Sequence, residues 1–312
     1  MGIEHWETYY RDGAAEVIAG HEQSMLHHAW MDFFSSCQNG TRILDICTGN
    51  GAVAAIAREV ATVTGRNIEI HACDLARIDP MQNVADAADR LEGIRFHPQM
   101  AIEKMPFPNA SFDAVSGQYA LEYTDIPKSM VQIYRVLKSG GGAQFVIHHS
   151  GSPMHHHARV NMREAEFILQ DTKLYRRLRQ LASTDQATPK FAQNAGKQLQ
   201  LAIQAIKRAL PEARAAGGGR AFVVALDTTR NLLALRTQYG PAHLNREIDI
   251  VESSLRHWVH RLKDLVNYSK DRQAMLDIEN QALQLGFEIV GCGTQTRGEQ
   301  DLVGWKLMLR KP

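Results

Sequence analysis

The sequence predicts an α/β fold: a doubly wound, mostly parallel, seven-stranded sheet with an antiparallel C-terminal hairpin, plus a large helical insertion between the fifth and sixth strands. Three observations predict it. Strand-like runs bounded by turn residues alternate with helix-like segments through the first 150 residues. From about 156 to 285 the periodicity is that of long helices with few β-branched runs. After that, "GFEIVGCGTQT" and "DLVGWKLMLRK" resume β-like patterning, joined by polar "RGEQ".

Taken in order, the strand-like runs are "RILDI" (42–46), "IEIHACD" (68–74), "GIRFHP" (93–98), "FDAVSGQ" (112–118) and "GAQFVIHH" (142–149). Helices are expected over 52–63, 80–91 and 125–138. In the last of these Met130, Ile133, Val136 and Leu137 form one apolar stripe, and Gly140 supplies the stop. Within the insertion "AEFILQDTKLYRRLRQLA", "AGKQLQLAIQAIKRAL" and "EIDIVESSLRHWVHRLKDLVNYS" are helical. "TDQATPK" and "EARAAGGGRA" read as breaks, though Pro211 could instead kink a helix. The chain therefore divides into an N-terminal helical segment (1–40), a core (41–150 and 286–312) and a helical insertion (151–285).

With 312 residues, 44% of them hydrophobic and 22% charged, the chain is long enough for a sizeable core. No run of eighteen apolar residues suggests a membrane span. "MGIEHWETYYRDG" lacks a basic stretch followed by an apolar one, so a cytoplasmic protein is expected. Cys37, Cys47, Cys73 and Cys292 have no metal-like spacing and read as free thiols. Of 35 basic and 34 acidic residues, 19 and 10 fall between His155 and Lys270, a local net of +9 that leaves −8 elsewhere. That asymmetry could steer an anionic ligand, or simply reflect solvated helix faces.

The stretch "ILDICTGNGAVAA" (43–55) carries the chemistry. A turn between a strand's carboxyl end and a helix N-terminus exposes N–H groups to negative or polar ligand groups. Gly49 and Gly51 allow positive φ and close approach. "GNGAVA" also satisfies a dinucleotide pattern, and Asp74, 23 residues after Gly51, suits a ribose in either case. Asp45 tips the balance, since a carboxylate there suits an ammonium and would repel a pyrophosphate.

Together with "MPFPNASFDAV", "YRVLKSGGG" and the C-terminal strand pair, this stretch resembles class I S-adenosylmethionine-dependent methyltransferases, in particular the ubiquinone- and menaquinone-type small-molecule branch. The resemblance covers roughly 40–150 and, more weakly, 285–312. It implies a Rossmann-like core and S-adenosylmethionine as cofactor, leaving S-adenosylhomocysteine as product. It implies that Asp45, Cys47, Thr48, Gly49, Asn50 and Gly51 wrap the methionine part, with Asp45 near its ammonium. Asp74 then holds the ribose, Leu75 packs beside the adenine, and Ala101, Ile102 and Glu103 flank the adenine. Gln118 and Tyr119 lie beside the methionine portion, and Tyr10 of "HWETYYRDG" closes over the cofactor. Cys47 stands where the family has a glycine, and Ala101 where an Asp or Asn often holds the adenine amine.

The implied reaction is an in-line displacement onto oxygen or nitrogen of a small organic acceptor, anionic if the basic excess faces its pocket. His148 or His149, at the carboxyl end of the fifth strand, is the candidate base, and the pleat lets only one of them face the acceptor. No metal site is expected: His155, His156 and His157 are consecutive and cannot readily converge on one ion. The insertion is expected to act as a substrate lid, and its long amphipathic helices are compatible with a homodimer. Nucleic-acid methylation is disfavoured by the absence of a strongly basic total or an RNA-binding module. The glycine turn would also suit a non-catalytic cofactor-binding protein or a nicotinamide oxidoreductase. Asp45 and the C-terminal hairpin pattern speak against the oxidoreductase.

Overall fold

The structure, a computed structural model, describes residues 2–12, 25–186, 188–236, 238–297 and 301–312. Part of the expected N-terminal segment (13–24) and most of the "RGEQ" link (298–300) lie outside the described residues.

Seven strands form one sheet: β1 (Arg42–Ile46), β2 (Glu69–Cys73), β3 (Arg95–His97), β4 (Phe112–Gln118), β5 (Leu137–Ile147), β6 (Glu288–Arg297) and β7 (Asp301–Arg310). Their order is β3-β2-β1-β4-β5-β7-β6. The first five pair in parallel, while β7 runs antiparallel to both β5 and β6. Four residues of β1 are buried in sequence, as a parallel strand covered on both faces requires. Its side chains still alternate: Ile43 joins one core and Leu44 and Ile46 the other.

On one face of the sheet, Trp30 and Phe34 of the helix Met25–Ser35 and Val53, Ile56 and Val60 of the helix Ala52–Thr64 pack against Ile43, Ile70 and Val146. On the other face Met130, Ile133 and Val136 of the helix Ile126–Val136 and Met275, Ile278 and Ala282 of the helix Arg272–Leu285 pack against Leu44, Val115 and Phe145. Each fully buried large apolar side chain contributes about 1.5–3 kcal/mol. The guanidinium of Arg135 donates to the carbonyls of Met105 (2.8 Å) and Phe107 (2.6 Å), which ties "MPFP" to "YRVLKSGGG".

The chain forms two compact units, Met1–His155 with Asn267–Pro312, and His156–Val266. The return to the sheet unit thus comes at Asn267, ahead of the expected 286, and the helix Arg272–Leu285 belongs to the sheet unit. The expected helix over 80–91 is two single turns, Pro80–Asn83 and Ala87–Arg90, separated by Asp86 at φ +57°. The helical unit has its own core, including Ile168, Leu178, Ile206, Phe222, Leu232 and Ile248. Its helix Pro189–Ala215 continues through Pro211, and the break falls at the glycines that follow. Among the described residues, no helix is long and apolar enough to cross a membrane.

Candidate active site

Strands β2 and β3 run outward from one side of β1, and β4 and β5 from the other, so the winding reverses between β1 and β4. Ligands of open α/β sheets bind outside the strand ends at such a reversal. The turn after β1 stands there. Gly49 and Gly51 have φ of +54° and +83°, and Cys47 is also left-handed at +48°. Gly51 caps the N-terminus of the helix Ala52–Thr64.

Asp45 is buried and accepts from the Thr48 hydroxyl at 2.5 Å and the Ser116 hydroxyl at 2.7 Å. Both oxygens thus brace the turn against β4. Burial pushes its carboxyl up to about 7, against the two hydroxyl hydrogen bonds. Asp74 follows β2 and accepts from the backbone N–H groups of Gly49 and Ala76, each at 2.8 Å. Burial raises it to about 6. The N–H of Met100 reaches the Asp74 main-chain carbonyl at 2.8 Å, which ties the segment leading into Ala101, the buried Ile102 and Glu103 to the end of β2. Glu103 accepts from the N–H of Asp125, while Leu75 is half exposed next to Asp74.

The helix Glu4–Arg11 covers the turn. A Cβ on Gly49 would stand 2.5 Å from the Tyr10 ring, and Asn50 Nδ2 donates to the Tyr10 carbonyl at 2.8 Å. Glu7 accepts from the N–H of Arg77 at 3.1 Å. Burial, and then Asp74, hold the Tyr10 hydroxyl neutral. The Cys47 thiol is raised by burial and then by Asp74, which fits a space-filling thiol and not a nucleophile.

At the end of β4, Gln118 accepts from the Trp30 indole at 2.6 Å. Tyr119 takes φ +51°, its hydroxyl donates to the Val303 carbonyl at 3.0 Å, and its ring stacks on His148 at 3.9 Å and 3°. The two candidate histidines have different surroundings. Both lie just beyond β5, which ends at Ile147. His148 is buried against Tyr119 and the edge of Tyr123. His149 stacks on Trp305 at 4.5 Å, and its Nδ1 accepts from the N–H of Gly151. His148 therefore joins the strand-end site and His149 does not. Burial lowers the His148 imidazole to about 3, so it is neutral at physiological pH.

One group at this site escapes the sequence reading. Glu122, in the single turn Leu121–Tyr123 after β4, is 1% exposed and accepts from the N–H of His148 at 2.7 Å. Burial raises it to about 7. Its one signal in the sequence is a lone carboxylate inside "YALEY", directly after a buried strand.

The residues present fit the expected cofactor. The missing side chain at Gly49 lets the Tyr10 ring close onto the turn, Asn50 Oδ1 is buried with no protein partner, and Asp74 keeps lone pairs beyond its two backbone bonds. Among the described residues no group of side chains could hold a metal ion.

Residues 18–163 match the model of the ubiE/COQ5 methyltransferase family. The chain is similar to a demethylmenaquinone methyltransferase of Chlorobaculum parvum, 33% identical over 108 residues, covering 34% of this chain and 40% of that protein. It is also similar to a ubiquinone/menaquinone biosynthesis C-methyltransferase of Psychromonas ingrahamii, 27% identical and covering 44% of this chain and 61% of that one. The chain thus spans about half the length of these relatives. A solved S-adenosylmethionine-dependent methyltransferase of Mesorhizobium loti is 25% identical, with a TM-score of 0.32 over 47% of this chain and 58% of that one. Residues 18–163, just under half of the chain, thus carry the likeness to the ubiE/COQ5 methyltransferase family, and they build the first five strands of the mixed seven-stranded sheet.

Proposed function

We propose that this chain transfers the methyl group of S-adenosylmethionine to a small aromatic acceptor of the quinol type. The observation that carries the reading is the cradle after β1, where Asp74 braces Gly49 under Tyr10 at the reversal point of the sheet. Asp74 would hold the ribose, Leu75 and Ala101–Glu103 would flank the adenine, and the turn Asp45–Gly51 would wrap the methionine part. Bound there, the cofactor supplies an electrophilic methyl group on a sulfonium.

The chain's own residues do the remaining work. Asp45 acts through the turn, since its two oxygens are held by Thr48 and Ser116. The helix Glu4–Arg11 excludes water with Tyr10 and Trp6, the latter edge-on to Tyr123 at 5.6 Å. Tyr119, Tyr123 and His148 make an aromatic wall suited to a flat acceptor. A neutral His148 can accept a proton or a hydrogen bond there. The names of the two relatives favour a quinone-related acceptor, and one of them extends the expected oxygen or nitrogen target to carbon.

The test is incubation of the purified chain with methyl-labelled S-adenosylmethionine and a panel of reduced benzoquinones and naphthoquinones. Label in a quinol, lost in Asp74→Ala, supports the reading. Cofactor binding with no label in any acceptor would favour a non-catalytic binding protein instead.

A further inference from the structure

Two buried polar atoms on the segments that follow β4 and β5 have no hydrogen-bond partner: Glu122 Oε2 and His148 Nδ1. They belong to neighbouring groups, since the other oxygen of Glu122 accepts from the N–H of His148 at 2.7 Å. Both residues are nearly sealed, at 1% and 5% exposure. A buried polar atom left unsatisfied costs about 1–3 kcal/mol, so two on residues joined by a hydrogen bond call for a partner that the protein itself does not supply. Their surroundings are aromatic: Tyr119 stacks on His148, Tyr123 meets it edge-on at 5.9 Å, and Tyr268 packs against Tyr123 at 5.5 Å.

We propose that Glu122 and His148 form an acceptor subsite for an aromatic hydroxyl, in which Glu122 Oε2 takes the hydroxyl proton and His148 Nδ1 holds the ring substituent in place. The inference rests on the methyltransferase reading and names its acceptor class. In the proton step the acceptor O–H bond breaks, an O–H bond forms on Glu122, and the electron pair stays on the acceptor oxygen. The negative charge passes from carboxylate to phenolate, so the step is balanced without any other reactant. A carboxyl held near 7 by burial suits this exchange with a phenol. The other titratable groups facing the pair are Lys270, which favours the carboxylate, together with Cys47, His155, Tyr119 and Tyr123.

The experiment uses the full chain saturated with S-adenosylhomocysteine and titrates it with 4-nitrophenol, whose absorption reports ionisation, and with 4-nitroanisole, which has no proton to give. Wild type should bind 4-nitrophenol as the phenolate. Glu122→Gln, whose amide oxygen can still accept from His148, should bind it about tenfold or more weakly and without the ionised band, as loss of a charged hydrogen bond implies. 4-Nitroanisole should bind wild type and variant alike. If Glu122→Gln fails to fold by circular dichroism, Glu122→Asp, which retracts the carboxyl, is read in the same way. An unchanged spectrum and affinity in the variant, or no saturable binding of 4-nitrophenol to wild type, overturns the subsite. Failure of wild type to bind S-adenosylhomocysteine overturns the methyltransferase reading itself.

Discussion

Among the described residues each unit of the molecule buries one glutamate almost completely, and the two are treated differently. Glu164, in the helical unit, is 4% exposed and fully engaged: Oε1 accepts from the N–H of Gly219 at 2.5 Å and Oε2 from that of Ala221 at 3.2 Å. It caps the helix Arg220–Arg236 after the glycine break, at the end where a negative charge is favoured. Glu122, in the sheet unit, is more deeply buried yet has one oxygen without a partner. The contrast separates a carboxylate that holds the fold from one held in reserve by the fold. Burial alone does not distinguish them; the partners of each oxygen do.

The largest effect is expected at the engaged glutamate. Glu164→Ala leaves two helix-end N–H groups without their acceptor and should cost about 2–4 kcal/mol, read by urea unfolding followed at the helical circular-dichroism signal. A cost under about 0.5 kcal/mol would erase the contrast between the two glutamates.

Glu122→Gln should act in the opposite direction. The Glu122 pKa rises from 4.5 to about 7 on folding, so between these values the folded state binds more protons than the unfolded one. Its contribution therefore grows less favourable as pH rises through that window and stays so above it. The variant should match wild type below about pH 4.5 and be more stable by about 1–3 kcal/mol at pH 8, while losing the phenol ionisation described above. Asp45 and Asp74 carry the same sign. His148 carries the other: lowered from 6.5 to about 3, it withdraws stability as pH falls below about 6.5. A Glu122→Gln variant less stable than wild type at pH 8 would place Glu122 with Glu164 as a structural group.

A smaller effect is expected at the turn. Gly49→Ala forces a side chain into φ +54°, at about 1–2 kcal/mol, and pushes it onto the Tyr10 ring. Weaker S-adenosylhomocysteine binding together with a melting midpoint lowered by a few degrees is the expected pattern, measured by calorimetry and differential scanning.

Where the sequence was legible, local pattern and tertiary environment agreed. The limits of β1 and β4 coincide with "RILDI" and "FDAVSGQ", because both are short apolar runs closed by turns. Asp74 and the glycines were readable because a tight turn requires particular residue types. The helix expected over 80–91 was not, since nothing local announces the left-handed Asp86 that divides it. The return to the sheet unit at Asn267 rests on non-local contacts, such as the bridge between His149 and Lys270 and the indole of Trp305 donating to the Lys270 carbonyl at 2.9 Å. The pleat predicts that His148 and His149 face opposite ways, but their surroundings depend on Tyr119 and Trp305, far apart in sequence. Glu122 went unread because its meaning lies in an oxygen that has no partner.

Whether the turn after β1 is a methyl-donor site is decided by calorimetric titration of the wild-type chain and Asp74→Ala with S-adenosylmethionine, S-adenosylhomocysteine and NAD. Saturable binding of both sulfur nucleotides and none of NAD is expected. The variant should lose about 10–100-fold in affinity, as befits hydrogen bonds to a charged group. Binding of NAD alone, or equal affinities in wild type and variant, would rule that site out.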